Sequence, residues 1–221
     1  MKYGVVGFKG KMGREIVEYF SSMNDELVAK YDVDLEEVNE RPEVLVDFSN
    51  RKALDRTIGI CEELSCPLVI GTTALSENDF EKLKKLSEKV PVVQSYNFSE
   101  GVAIVKAILE VFASYFDGWD GAIVEVHHNE KKDTPSGTAI VLKNAIGKDI
   151  PISSLRIGGV FGEHTIIFAN RGEVVEISHK ALSRRAFSLG VRKAALYALT
   201  KTSGFYTYSD VLKAQIGGDR L

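Results

Sequence analysis

Gly7-Phe8-Lys9-Gly10-Lys11-Met12-Gly13 is the stretch that decides the fold of this 221-residue chain. Glycines stand at its first, fourth and seventh positions. The short apolar run Tyr3–Gly7 leads into it and reads as a buried strand. After it, Ile16, Val17 and Phe20 recur at helical spacing within Gly13–Ser22. A strand, a glycine turn and a helix in immediate succession open a parallel βαβ unit. In such a turn the first glycine makes the tight bend. The middle one lets backbone N–H groups come close to a diphosphate, and the last lets the helix pack against the strand. The helix start then offers amides and a positive dipole end to the anion. The spacing departs from G-x-G-x-x-G, because Lys9 holds the second glycine position and Gly10 follows it. A second strand, Leu27–Asp32, ends on an acid 19 residues after Gly13, where a carboxylate for a ribose hydroxyl is expected.

Outward from this unit the first hundred residues alternate strand and helix. Val44–Phe48, Leu68–Ile70 and Val90–Gln94 read as strands, and Lys52–Leu64 and Glu77–Ser87 as helices. Ser76 with Asp79 is a capping signature for the latter. Val33–Glu43 is acidic and reads as a loop, too short for a full crossover helix. Strands separated by helical patterns mean a parallel sheet. The carboxyl ends of such strands carry the ligand. Here they are Asp47-Phe48-Ser49 and Gly71-Thr72-Thr73, whose hydroxyls and small residues suit the nicotinamide half of a dinucleotide. Asp32 favours NADH, whereas Lys9, Lys11 and Arg14 suit the 2′-phosphate of NADPH, so both cofactors are expected.

Beyond Asn97 the pattern changes. A helix is expected over Val102–Phe116, a strand over Ala122–His127, a polar loop over Asn129–Thr134 and a helix from about Pro135. Three strand-like runs, Leu155–Phe161, His164–Asn170 and Glu173–His179, read as an antiparallel meander. A helix near Arg184–Thr202, a short segment and a frayed tail over Gly217–Leu221 complete the chain. The fold class is α/β: a Rossmann-type parallel sheet in residues 1–98, completed by about 195–221, plus an α+β domain with a mixed or antiparallel sheet over 99–194.

Net charge is −3, which gives no basic excess for nucleic acid. No run approaches 18 apolar residues, and the N-terminus lacks a signal peptide's apolar region. Cys61 and Cys66 are spaced for neither a redox pair nor zinc, so two reduced thiols in a cytoplasmic protein are expected.

The densest chemistry lies in Glu125-Val126-His127-His128-Asn129-Glu130-Lys131-Lys132-Asp133-Thr134-Pro135-Ser136-Gly137-Thr138. Thr134 reads as an N-cap with Pro135 in the first turn. That places the amides of Ser136, Gly137 and Thr138 at a helix N-terminus, and Lys131 adds a full positive charge. Such a site suits a substrate carboxylate. Histidine gives or takes protons near neutral pH. Adjacent strand histidines point to opposite faces, so His127 and His128 share a role only if the strand ends between them. His164 and His179 do not complete a metal-binding spacing, and no metal is expected.

These residues, with Asn97-Phe98-Ser99 and Gly162-Glu163-His164-Thr165, resemble the 4-hydroxy-tetrahydrodipicolinate (dihydrodipicolinate) reductases of lysine and diaminopimelate synthesis. The resemblance spans nearly the whole chain, and its His-His…Lys…Pro-Ser-Gly-Thr block is highly specific. It implies hydride transfer from NADH or NADPH to ring carbon four of a cyclic dicarboxylate, followed by protonation. It implies His127 as the proton-transfer residue and Lys131 as catalytic. His128, Lys131, Ser136, Gly137 and Thr138 would hold the carboxylates. Gly7, Lys11, Met12, Gly71, Thr73, Asn97 and Phe98 would face the cofactor and Asp32 its ribose; Phe8, Lys9, Gly10, Phe48, Ser49, Thr72 and Ser95, in the same turns, are expected in the cofactor site beside them. A cytoplasmic homotetramer built through the second domain's sheet is also implied. The departures are Lys9, the short Asp32–Val44 segment, and Asn129 and Glu130 where basic residues are common. Two other readings compete: another NAD(P)-dependent dehydrogenase of amino-acid metabolism, and a non-catalytic pyridine-nucleotide sensor. Neither has an evident use for the lysine and helix-start site, and no helix-turn-helix supports a regulator.

Overall fold

Four short strands of almost unbroken Val, Leu and Ile set the first sheet. Val5, Val44, Leu45, Val46, Leu68, Val69, Ile70, Val92 and Val93 are fully buried. Helices cover such strands on both faces, which is why their sequence runs apolar without alternating. The computed structural model describes residues 1–216. In chain order these are β1 (Lys2–Val6), α1 (Lys11–Ser22), β2 (Glu26–Asp32), β3 (Leu35–Val38), β4 (Val44–Asp47), α2 (Leu54–Leu64), β5 (Leu68–Ile70), α3 (Glu77–Ser87) and β6 (Pro91–Gln94). There follow α4 (Glu100–Phe112), β7 (Asp120–His127), α5 (Gly137–Ile146), β8 (Ile152–Arg156), β9 (Glu163–Ala169) and β10 (Val174–Lys180). The last elements are α6 (Arg185–Leu199), β11 (Gly204–Thr207) and α7 (Tyr208–Ile216).

Two units result: Met1–Phe98 with the chain from Phe187 onward, and Ser99–Ala186. The chain thus re-enters the first unit at Phe187 rather than near residue 195. Buried Asp25 ties α6 there, taking the Met1 ammonium at 2.9 Å and Arg192 Nε at 2.7 Å. The first sheet has the order β11-β6-β5-β4-β1-β2-β3. The order reverses between β1 and β4, so their carboxyl ends, Val6 and Asp47, flank the switch point where open α/β sheets bind ligands.

Three expectations are corrected. The loop expected over Val33–Glu43 contains β3, antiparallel to β2 from Ala29↔Val38 to Asp32↔Leu35. As an edge strand it is mostly exposed and carries no apolar pattern to read. β11 joins the other edge, parallel to β6. In the second unit the strand expected at Leu155–Phe161 lies at Ile152–Arg156 and is parallel to β7, reached through the crossover helix α5. Only β9 and β10 make the antiparallel hairpin, so the second sheet, β10-β9-β7-β8, is mixed. The frayed tail expected over Gly217–Leu221 lies outside the described residues.

Candidate active site

In the first unit the glycine turn folds tightly. Gly7 has φ +81°, and its carbonyl accepts the Gly10 amide at 3.0 Å. A Cβ on Gly13 would stand 2.2 Å from Gly7 O, so α1 approaches the strand end as only glycine allows. Gly10 is the N-cap of α1 and has no side chain to offer the first-turn amides. An anion is the natural acceptor at such a helix start. Asp32 sits beside the turn: Oδ2 accepts the Lys9 amide at 2.7 Å and Oδ1 the Val33 amide at 2.9 Å. It therefore fastens the loop, with lone pairs remaining for a ribose. Lys9 Nζ pairs with Asp34 at 2.7 Å rather than standing clear for a 2′-phosphate.

Asp47 organises the neighbouring loops. Its Oδ1 accepts the Ser49 amide at 2.8 Å, the Ser49 hydroxyl at 2.5 Å and the Thr72 hydroxyl at 2.9 Å. Its Oδ2 accepts the Thr57 hydroxyl at 2.7 Å. A fully buried carboxylate is tolerated because every approach to it is a donor. The Phe48 ring covers Gly71, where an added Cβ would lie 2.2 Å from Phe48 Cε1, and it packs on Phe98 with centroids 5.6 Å apart. The Ser95 hydroxyl donates to Asn97 O at 2.7 Å and accepts the Asn97 amide at 3.1 Å. The glycine cradle and these loops at the strand ends fit a dinucleotide.

The second unit holds the other cluster. Ile123, Glu125 and His127 share the buried face of β7, two residues apart. β9 pairs across it, Ile166 on Ile123 and His164 on Glu125, while Arg156 of β8 lies beside His127. One end of this face is apolar core and the other is charged. Glu125 is fully buried. Its Oε1 accepts the Ser136 amide at 3.0 Å and Arg156 Nη2 at 2.9 Å. Its Oε2 lies 2.9 Å from His127 Nδ1 and 3.9 Å from His164 Nε2. The His164 Nε2 and Ser136 Oγ atoms are 3.3 Å apart. The imidazoles of His127 and His164 meet edge to face, with centroids 5.1 Å apart. Nε2 of His127 looks toward Gly162, where a Cβ would intrude to 3.1 Å. Lys131, in the loop after β7, pairs with Asp133 at 2.9 Å.

Burial would raise the Glu125 carboxyl, but donors from Ser136, Ser154 and Arg156 outweigh it and hold it at about 2. Burial lowers His127. Glu125 and Asp133 act against that lowering, and Lys131 and Arg156 reinforce it. Burial, with His127 adjacent, lowers His164 to about 4. Glu125, His127 and His164 could each offer a metal one atom, all within 4.8 Å. Arg156 on the carboxylate and Lys131 close by make the surroundings cationic, which suits an anion better than a divalent cation.

Residues 1–98 match the family model for the N-terminus of dihydrodipicolinate reductase, and residues 101–212 match the model for its C-terminus. The chain belongs to the dihydrodipicolinate reductase family. A 4-hydroxy-tetrahydrodipicolinate reductase of Thermosipho africanus is 52% identical, over 96% of this chain and 98% of that one. The enzyme of the same name from Caldanaerobacter subterraneus is 33% identical, over 94% and 96%. A dipicolinate-bound dihydrodipicolinate reductase from Paenisporosarcina shares the fold, with a TM-score of 0.78 at 23% identity, over 94% of this chain and 97% of that one.

The dihydrodipicolinate reductase fold brings most of the expected residues together within each unit. β7 ends at His127, so the strand does stop between the two histidines: His127 is buried and His128 begins the loop. The helix start is corrected. Thr134–Pro135 is a cis peptide, and Ser136, not Thr134, caps α5, its hydroxyl accepting the Ala139 amide at 3.2 Å. Two hydroxyls stand two residues apart, and the second is the one whose extended backbone turns it onto the helix. The Ser136 amide is thereby spent on Glu125, and the first-turn amides are those of Gly137 and Thr138. Sequence reasoning gave no role to Glu125 or Arg156. The period-two step back from His127 was the available signal for Glu125.

Proposed function

We propose that this chain is a 4-hydroxy-tetrahydrodipicolinate reductase of lysine and diaminopimelate synthesis, using NADH or NADPH. The observation that carries the proposal is His127, a buried strand-end histidine whose Nε2 faces glycine beside Lys131 and the start of α5. The names of the relatives support the same reaction. The glycine turn, Asp32 and the Asp47-fastened loops would hold the cofactor, which when bound supplies a hydride for ring carbon four. Gly7, Phe8, Gly10, Lys11, Met12, Gly71, Thr73, Ser95, Asn97 and Phe98 contribute to that grip.

In the second unit the Gly137 and Thr138 amides, the Ser136 hydroxyl, His128 and Lys131 would bind the two carboxylates. A Cβ at Gly137 would meet nothing within 4 Å, so the ligand's approach there is open. His127 would deliver a proton to the enamine left by reduction, and Lys131 would stabilise the negative charge. The exposed apolar side chains Ile104, Ile108, Val111, Leu155 and Ile157 of the second unit support assembly through it, and we read the protein as a homotetramer. Cys61 and Cys66 are buried free thiols, in keeping with a cytoplasmic setting. No described helix is long and apolar enough to cross a membrane.

Steady-state kinetics of two variants test the site. His127→Ala lowers kcat by roughly a hundredfold or more with cofactor affinity unchanged. Lys131→Ala raises KM and lowers kcat. Near-normal turnover by His127→Ala would remove that residue from the chemistry.

A further inference from the structure

Taking His127 as the proton carrier, we infer that Glu125 is its positioning residue, fixing the ring so that Nε2 faces the substrate and tying that ring to the helix start that grips the substrate. Oε2 of Glu125 and Nδ1 of His127 lie 2.9 Å apart, yet they are not in line for a hydrogen bond. Both atoms are buried and neither stands in hydrogen-bond geometry with another described residue, although the buried Ser154 hydroxyl is near enough to act on the carboxylate. Leaving a buried carboxylate oxygen unpaired is costly, because its desolvation is not offset. A proton on Nδ1, turned toward Oε2, satisfies both groups at once. That tautomer leaves Nε2 on the side of Gly162, where the missing side chain keeps a path clear.

The other carboxylate oxygen binds the Ser136 amide and Arg156, and Arg156 Nη2 also donates to Asp133 O at 2.6 Å, in the loop that carries Lys131. One buried acid therefore links the proton donor, the α5 start and the lysine loop. It also counters the cations. Facing His127 from its neighbours are Glu125 of its own strand, Lys131 and Asp133 of the following loop, Arg156 of β8 and His164 of β9. Of these, Glu125 is the fully buried negative charge. Without it, burial, Lys131 and Arg156 would lower the ring further, and the neutral ring protonated on Nδ1 carries no proton on Nε2 to give.

The test is the pH dependence of kcat for Glu125→Gln and Glu125→Asp, with the tautomer of His127 read by nitrogen-15 NMR on the unaltered protein. Gln keeps the shape and removes the charge. Its basic limb moves to lower pH by about one unit or more, since an opposite charge at this range shifts a titration by 1–3 units. Turnover near pH 7.5 falls at least tenfold, while the Asp variant keeps the limb near its original position. In the unaltered protein, neutral His127 carries its proton on Nδ1. A Gln variant with an unmoved limb, or a neutral His127 protonated on Nε2, overturns the inference. Should His127→Ala itself turn over normally, the proton-transfer reading fails first. Loss of activity in His127→Ala with an unmoved Glu125→Gln profile sinks the positioning role alone.

Discussion

Replacing Gly13 by Ala tests the glycine turn most sharply. The added Cβ would lie 2.2 Å from Gly7 O and 3.0 Å from both Gly7 C and Phe8 Cα, whereas ordinary contact begins at 3.4 Å. All three atoms are backbone, so no side chain can swing aside. The first turn of α1 has to retreat by about 1 Å, and overpacking of this kind costs about 1–3 kcal/mol. At about 2–4 °C per kcal/mol for a chain of this size, Tm falls by about 2–12 °C. The same retreat takes the helix-start amides out of reach of a diphosphate. Losing one charge-assisted hydrogen bond, about 1.5–3 kcal/mol, raises the Kd for NADH roughly ten- to hundredfold. Gly59→Ala is the internal control. Gly59 is exposed inside α2, and a Cβ there meets nothing within 4 Å. That substitution stabilises by about 0.5–1 kcal/mol and leaves NADH binding alone. Scanning calorimetry and fluorescence titration of the two variants read both effects. Unchanged NADH affinity in Gly13→Ala would refute the claim that this helix start holds the cofactor.

Two further outcomes follow from Asp32 and His164. Asp32→Ala weakens NADH about tenfold or more and NADPH less, measured as Kd; equal losses would mean that Asp32 serves only to fasten the Lys9 amide. His164 titrates at about 4 in the folded chain against 6.5 when exposed, so the unfolded state takes up the proton first as pH falls. Stability therefore drops as pH goes from about 6.5 toward 4, by about 2 kcal/mol between pH 7 and 5. Urea unfolding across that range reads the slope, which His164→Asn should flatten.

Much of the first unit was legible because parallel strands buried on both faces announce themselves as apolar runs. The two strands that were missed, β3 and β11, lie at the edges of the sheet, where exposed or half-buried residues carry no such run. In the second unit β8 was placed too late because its inward residues beyond Ile152 are Ser154 and Arg156, while Leu155 is exposed. Hydrophobicity stops tracking burial where a sheet face turns from core into site. Glu125 escaped notice for the same reason. It occupies a core position by period, and its partners come from Arg156 and Ser136, 31 and 11 residues away. His127, Lys131 and the Ser136-Gly137-Thr138 start were legible because their chemistry is concentrated within one short segment.

Absorbance at 340 nm follows the reaction directly. The substrate is generated in the cuvette by a dihydrodipicolinate synthase. Oxidation of NADH or NADPH is expected that requires the synthase product and is lost in His127→Ala. A folded protein that binds the cofactor yet oxidises neither nucleotide with that product present would contradict the proposed reaction.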